Sequence, residues 1–318
     1  MKIALLIPTL NRPDFVKRML GYYESVHFDG TIYLADSSDT EAHMVNIGNV
    51  ERSGVRVAHR HYPKKDYPHD GACIKEILKL VDEPYCAFSG DDDFFVPETL
   101  VECVEFLENN HDYASCHGMR INVFFRGGEP YGMMEGAYRQ VGYEMTQEAP
   151  VLRWIDYMRT GLSTQHYVHR TETWKKMYAY ADKMKLRYLG PELLPCSLSV
   201  IAGKIKMIDG LHIVFQRNGD KVVDFDRISF FDLINAKQWY GSSKIFMGVL
   251  GKKLNSPKIV KREFWYHLIR FMGPQYNSKY VQKPQIDMRD MQRILVDVKT
   301  QGHIDYSYFR RVEEACLP

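Results

Sequence analysis

The chain has 318 residues, enough for one large domain or two smaller ones, and its 45% hydrophobic and 26% charged residues are the composition of a folded globular protein. A formal net charge of +2 excludes the strong overall field that gathers nucleic acid or a membrane surface. Six scattered cysteines with no CxxC pair exclude a disulfide framework and a cysteine zinc cluster, and predict reduced, buried thiols in a cytosolic protein.

Residues 2–7 form a short apolar run, too short for a signal peptide, that predicts the first strand. A polar loop over 8–13 follows, and residues 14–24 place Phe15, Met19, Tyr22 and Tyr23 at helical spacing. Residues 32–35 predict a second strand ending at Asp36-Ser37-Ser38-Asp39, and 55–59 a weaker third. Residues 61–71 read as a polar loop with two prolines. A helix is predicted over 72–81, a strand over 85–88 and a helix over 97–108, with Pro97 suited to its first turn. Further on, one or two strands are expected over 113–125, a turn over 126–130 and a helix over 149–160. Then come a strand over 165–169, helices over 174–184 and 193–201, and late strands over 204–208 and 211–215. From Asp224 the pattern is helical and basic, and no stretch of about 18 apolar residues predicts a spanning helix.

Alternating strands and helices, with a polar loop after each strand, predict an α/β fold: a mostly parallel sheet with helices on both faces. Right-handed crossovers would bring the loops carrying Thr9, Asn11 and Arg12, then Asp36, Ser37 and Asp39, then Asp91 to Asp93, to one rim. The last loop is the most unusual. Tyr85-Cys86-Ala87-Phe88 ends through Ser89-Gly90 in three adjacent aspartates. Two readings are open. One is a divalent cation with oxygen ligands at a strand end, where open α/β sheets bind ligands. The other is a solvated acidic turn capping the helix that begins at Pro97.

Four stretches in order carry a resemblance: 7–12 (Ile-Pro-Thr-Leu-Asn-Arg), 34–39 (Leu-Ala-Asp-Ser-Ser-Asp), 71–75 and 88–100. Over roughly residues 1–110 the chain resembles GT-A fold glycosyltransferases, most closely those of family 2. The resemblance implies a GT-A (Rossmann-like) domain over 1–223 and a helical extension over 224–318. It implies transfer of a sugar from a nucleotide-diphosphate sugar to a glycan or lipid-linked acceptor, with Mn²⁺ or Mg²⁺, in cytoplasmic assembly of a surface polysaccharide. The donor would meet Pro8, Thr9, Asn11, Arg12, Asp36, Ser37, Lys75, Asp91, Asp92 and Arg217. The metal would meet Asp93, Asp91 and His212.

The sequence departs from the family at its centre. The family's Asp-x-Asp motif, aligned on Pro97, puts its first aspartate at Gly90 and a metal ligand at Asp92. Aligned on the aspartates themselves, it gives Asp91 and Asp93. We read Asp93 toward the metal and Asp91 toward the ribose, both facing one side of an extended turn.

Departure of a nucleoside diphosphate needs positive charge, which a cation bound by one or two carboxylates supplies. Lys75 adds charge or is a solvent-facing helix lysine. Asp36 accepts from a base N–H or caps a turn. Arg12 belongs to the rim or to the surface before Pro13. An inverting enzyme also needs a base for the acceptor hydroxyl. The resemblance puts it at Glu192, in Leu189-Gly190-Pro191-Glu192-Leu193-Leu194, with Pro191 where an acidic neighbour often stands. Glu192 is otherwise a first-turn glutamate complementing the helix dipole, and Asp156 and Asp220 are other carboxylates. His212 is a third metal ligand or makes an ordinary hydrogen bond.

Residues 241–272 hold seven Lys/Arg and one acid, Glu263, among aromatic residues at helical spacing. This reads as a helical subdomain on the sheet or in a homodimer, with a peripheral membrane contact as the alternative. No nucleic-acid motif is present. Two other functions fit such a chain: a sugar nucleotidyltransferase, whose Gly-rich, Arg-containing first loop is missing at 8–11, and a non-catalytic nucleotide-sugar or glycan-binding module.

Overall fold

Four short strands at the start of the chain pair in parallel, three of them apolar runs. β1 (Ile3–Thr9), β2 (Thr31–Asp36), β3 (Val57–His61) and β4 (Tyr85–Phe88) lie in the order β3-β2-β1-β4. Ile3 to Ile7 are all fully buried, as a central parallel strand covered on both faces requires. This computed structural model describes residues 2–217, apart from 68, 127–129, 141, 161–162, 185 and 187, together with 239–268, 311 and 314. The register lines up the strand ends: Thr9 is opposite Asp36, and Asp36 opposite His61.

The helices between these strands differ in how they announce themselves. α1 (Pro13–Ser25) begins on proline and buries Phe15, Met19, Tyr22 and Tyr23, as its spacing predicts, together with Arg18. α2 (Thr40–Arg52) was not foreseen. Asp39 caps it by accepting the Ala42 N–H at 3.2 Å, and the residues it buries are Asn46 and Asn49, so no apolar stripe marks it. α3 (Asp70–Ile77) runs on into a 3₁₀ turn, and α4 (Pro97–Asn109) follows the two-residue strand β5 (Phe94–Phe95).

The rest of the sheet is mixed. β6 (Tyr113–Arg126) is one long strand paired antiparallel with β7 (Met133–Gln140), which the sequence did not reveal. After α5 (Pro150–Thr160), β8 (Val168–Arg170) runs antiparallel between β4 and β6. α6 (Thr171–Tyr178) and a π-helical turn (Tyr188–Leu193) lead into α7 (Leu194–Ala202). The two expected late strands are one, β9 (Lys204–Arg217), parallel to β6 and antiparallel to β5. Gly210, at φ 148°, carries the chain through a conformation that other residues rarely adopt. The described cysteines, Cys73, Cys86, Cys103, Cys116 and Cys196, are buried free thiols, and burial pushes Cys86 up to about 12.

The expected domain boundary at 223/224 and residues 269–272 lie outside the described residues. Within 239–268, α8 (Trp239–Leu254) and α9 (Pro257–His267) turn their apolar stripe inward. Phe246, Leu250, Val260, Phe264 and Leu268 are fully buried in one cluster with Trp154 and Leu194, while Lys244, Lys252 and Lys261 stay exposed. Buried Glu263 accepts from Arg159 of α5 at 3.0 and 3.1 Å. Phe264→Ala should therefore cost about 3–5 kcal/mol of global stability in a denaturant melt. An unchanged midpoint would mean that α8 and α9 do not share the core. Among the described residues, no helix is long and apolar enough to cross a membrane.

Candidate active site

The acidic turn is held at the end of β4 by the Ser89 N–H, which donates to the Leu6 carbonyl at 3.1 Å. A Cβ at Gly90 would stand 2.6 Å from Asp92 Oδ1 and 3.2 Å from Asp93 Oδ2, so a side chain there would require those two carboxylate ends to shift.

The three aspartates do not face one way. Asp91 turns toward β1. It is 3% exposed, accepts from Thr9 Oγ1 at 2.6 Å and pairs with Arg12 Nη1 at 2.7 Å. Asp92 pairs with the other arm of the same guanidinium, Nη2, at 2.9 Å. The Arg12 guanidinium carbon sits over Phe15, 3.7 Å from the ring centroid, which helps fix the fork. Asp93 turns the other way, toward β9, where its Oδ1 accepts the Gln216 N–H at 3.2 Å. Burial pushes Asp91 up to about 7 against the pull of Arg12, and the adjacent Asp92 charge adds to the rise.

A second cation, not anticipated, sits beside the turn. Arg18 is buried on α1, its Nη2 donates to the Asp92 carbonyl at 3.5 Å, and its guanidinium lies 5.0 Å from the Phe94 ring centroid. The available signal was an arginine three residues after Phe15, on the apolar face of α1.

The loops after β1, β2 and β3 form an open cavity of about 420 Å³, lined among others by Asn11, the neighbour of Arg12, and by Ser37, Ser38, Asp39, His61 and Lys65. Asn11 adopts φ 54° there, a left-handed conformation that asparagine tolerates. Its N–H donates to Ser38 Oγ at 2.8 Å, and its Oδ1 accepts the Asp39 N–H at 2.8 Å, so the first two loops are stitched together. Ser37 donates its N–H to the Thr9 carbonyl at 2.9 Å, and half-buried Pro8 is opposite Ala35.

No known protein-family model matches the chain, and no curated protein matches it in sequence. Among solved structures, residues 1–349 of S. aureus TarS, in complex with UDP-GlcNAc, align with a TM-score of 0.59 over 100% of this chain and 84% of that one, at 13% identity. The chain has the GT-A fold. Looser likenesses are TarS 1–349 without that ligand (TM-score 0.48, 15% identity, 100% and 83% covered) and a glucosyl-3-phosphoglycerate synthase from Mycobacterium tuberculosis with Mn²⁺, UDP and phosphoglyceric acid (0.40, 14%, 79% and 78%).

On this GT-A rim several expected residues take other places. Asp36 is fully buried, and its oxygens are occupied by the Ser38 N–H, His43, His59 and Asn46 at 2.9–3.0 Å, so it presents no edge to a base. Burial alone would raise its pKa; the four hydrogen bonds outweigh that and hold the carboxylate well below its usual range. Lys75 is paired with Asp182 at 2.6 Å. His212 is buried opposite Val96 and donates Nε2–H to the His166 carbonyl at 2.8 Å. Its Nδ1 has no hydrogen-bond partner, and burial holds the ring neutral. Yet Asp91, Asp93 and His212 do not bring their ligand atoms together. Among the described residues the one such triple within 4.8 Å is Asp36, His43 and His59. Arg217 ends β9, and its side chain, like Asp220, lies outside the described residues. Asp156 accepts from Gln147.

Glu192 sits half-buried in the π-helical turn before α7. Gln165 Nε2 donates to the Pro191 carbonyl at 2.9 Å, and the next residue, His166, bonds through Nδ1 to the Phe88 carbonyl at 3.0 Å, at the end of β4. Pro191 also packs on the start of α3, where a Cβ at Gly71 would lie 2.2 Å from Pro191 Cβ. Gly71→Ala is expected to cost about 1–3 kcal/mol. A thermal melt measures the cost, and an unchanged midpoint would show that the turn moves aside freely.

Proposed function

We propose that this protein is a metal-dependent glycosyltransferase that takes its sugar from a nucleotide-diphosphate sugar. The observation that carries the reading is the acidic turn at the end of β4, tied through Thr9 to β1, through Arg12 to the loop after it and through Gln216 to β9, with an open cavity formed by the first three loops next along that loop at Asn11. That is a crevice outside the carboxyl ends of parallel strands, where α/β sheets bind ligands. TarS, which shares the fold, was crystallised with UDP-GlcNAc, so UDP-sugars are the first donors to try.

The acidic turn fits Mn²⁺ or Mg²⁺ by its donor atoms. Carboxylate oxygens with phosphate oxygens are the set such ions take. Asp93, with Asp92 beside it, would hold the ion. Once bound, the ion supplies Lewis-acid charge stabilisation at the diphosphate. The chain's own residues do the rest: Arg12 and Arg18 offset the carboxylate charge, and Asn11 and Ser37 shape the nucleotide pocket. Glu192 takes the proton of the acceptor hydroxyl in an inverting transfer. A glycan or lipid-linked saccharide of a surface polysaccharide is the proposed acceptor, on the resemblance of residues 1–110.

The test is a panel of nucleotide sugars assayed for nucleotide release and thermal shift, with and without Mn²⁺. One donor should raise the melting temperature and be turned over only with metal. Stabilisation without turnover would favour a binding module, and no response to any donor would overturn the reading.

A further inference from the structure

We propose that Asp36, His43 and His59 form a second metal site, one for a zinc-like transition-metal ion. It is separate from the acidic turn and independent of the transferase reading. The ligands come from three elements: the end of β2, the first turn of α2 and β3. Their ligand atoms all lie within 4.8 Å of one another. Asp36 Oδ2 is 2.9 Å from His43 Nδ1 and 3.0 Å from His59 Nε2. Two donors about 2.1 Å from one ion are about 3.0 Å apart at right angles and about 3.4 Å apart at the tetrahedral angle. These edges therefore match a coordination sphere, or need to open by a few tenths of an ångström.

The donor chemistry selects the ion. Two imidazoles with one carboxylate favour zinc and its neighbours over Mg²⁺, Ca²⁺ or Mn²⁺, which prefer oxygen throughout. The cluster is also crowded as a hydrogen-bond network. Asn46 Nδ2 is a third nitrogen at the same Oδ2, 3.0 Å away, while Oδ1 accepts the Ser38 N–H. A carboxylate offers about four lone-pair sites over both oxygens, so three donors on one of them exceed its share. With a cation in the cluster, the imidazoles bind through these ring nitrogens and carry their protons on the others. The buried Asn46 Oδ1 has no hydrogen-bond partner, and half a turn of the amide would offer it as a fourth ligand.

The placement gives the ion a task. His61 stacks on His43, ring centroids 3.9 Å apart at 12°, and its Nε2 bonds to the Ser38 carbonyl at 2.9 Å. Both His61 and Ser38 line the cavity. An ion on Asp36, His43 and His59 would pin α2 and β3 to β2 and so fix that wall.

The experiment uses the full chain stripped with chelator, reloaded with Zn²⁺ and desalted. Retention of about one equivalent and a rise in melting temperature with Zn²⁺ but not Mg²⁺ are expected. His43→Ala and His59→Ala should each lose both responses, while Asp93→Asn keeps them and loses the response to Mn²⁺ with donor. That contrast separates failure of this site from failure of the acidic turn. Co²⁺ loaded into the wild-type chain should give visible absorption that Zn²⁺ abolishes, a readout that needs no variant to fold. No retained Zn²⁺, no Co²⁺ bands, or wild-type retention by His59→Ala would overturn the proposal and leave Asp36 as a hydrogen-bonded hub.

Discussion

Replacing Glu192 by Gln should lower turnover of the preferred nucleotide sugar about 10²- to 10⁴-fold and leave its binding unchanged. Glutamine keeps the size and the hydrogen-bonding reach of the side chain, so the turn around Pro191 keeps its two anchors, the Gln165 bond and the packing on Gly71. Only the ability to take a proton is removed. The donor is expected on the rim formed by the acidic turn and the first two loops, so the donor-induced thermal shift should match that of the wild type. Initial rates, alongside the thermal shift, measure both quantities. An unchanged rate would move the base to another carboxylate. Loss of rate and donor binding together would make Glu192 a structural residue.

The sequence exposed β1, β2 and β4 because each is a short apolar run closed by polar residues, and such runs need no knowledge of their partners; it marked β3 more weakly because Val57-Ala58-His59-Arg60-His61 has two apolar residues and buries none. It hid α2 because that helix buries Asn46 and Asn49, so periodicity of apolar residues had nothing to detect. β5 escaped because two phenylalanines are too short a pattern. At the candidate site, positions were legible and directions were not. Asp91 and Asp93 alternate in sequence, yet one meets Arg12 and the other Gln216, since the chain curls around Gly90 and does not run on extended. Asp36 looked like a rim carboxylate. Its burial depends on His43 and His59, seven and 23 residues further on, which converge only when α2 and β3 are in place. The aromatic stripe of the C-terminal helices read correctly as core, because apolar residues at helical spacing carry that meaning wherever they occur.

The direction of Asp93 leads to the second large effect: Asp93→Asn should reduce donor turnover about 10²- to 10³-fold with little change in fold stability. The asparagine oxygen can still accept the Gln216 N–H, so the link between the acidic turn and β9 survives. The variant loses the negative charge that a divalent cation needs, and hence the metal-dependent part of the donor's thermal shift. Asp91→Asn makes the informative contrast. Asp91 is the buried partner of Arg12 and Thr9, so its loss strikes the joint between β1 and β4. Neutralising it leaves Arg12 with only Asp92 of the two carboxylates it now joins. That change should show in the melting temperature of the ligand-free protein, which Asp93→Asn should leave alone. If Asp93→Asn kept both turnover and its dependence on Mn²⁺, the acidic turn would be a capped, charge-balanced loop, and the cation would have to be sought elsewhere on the rim.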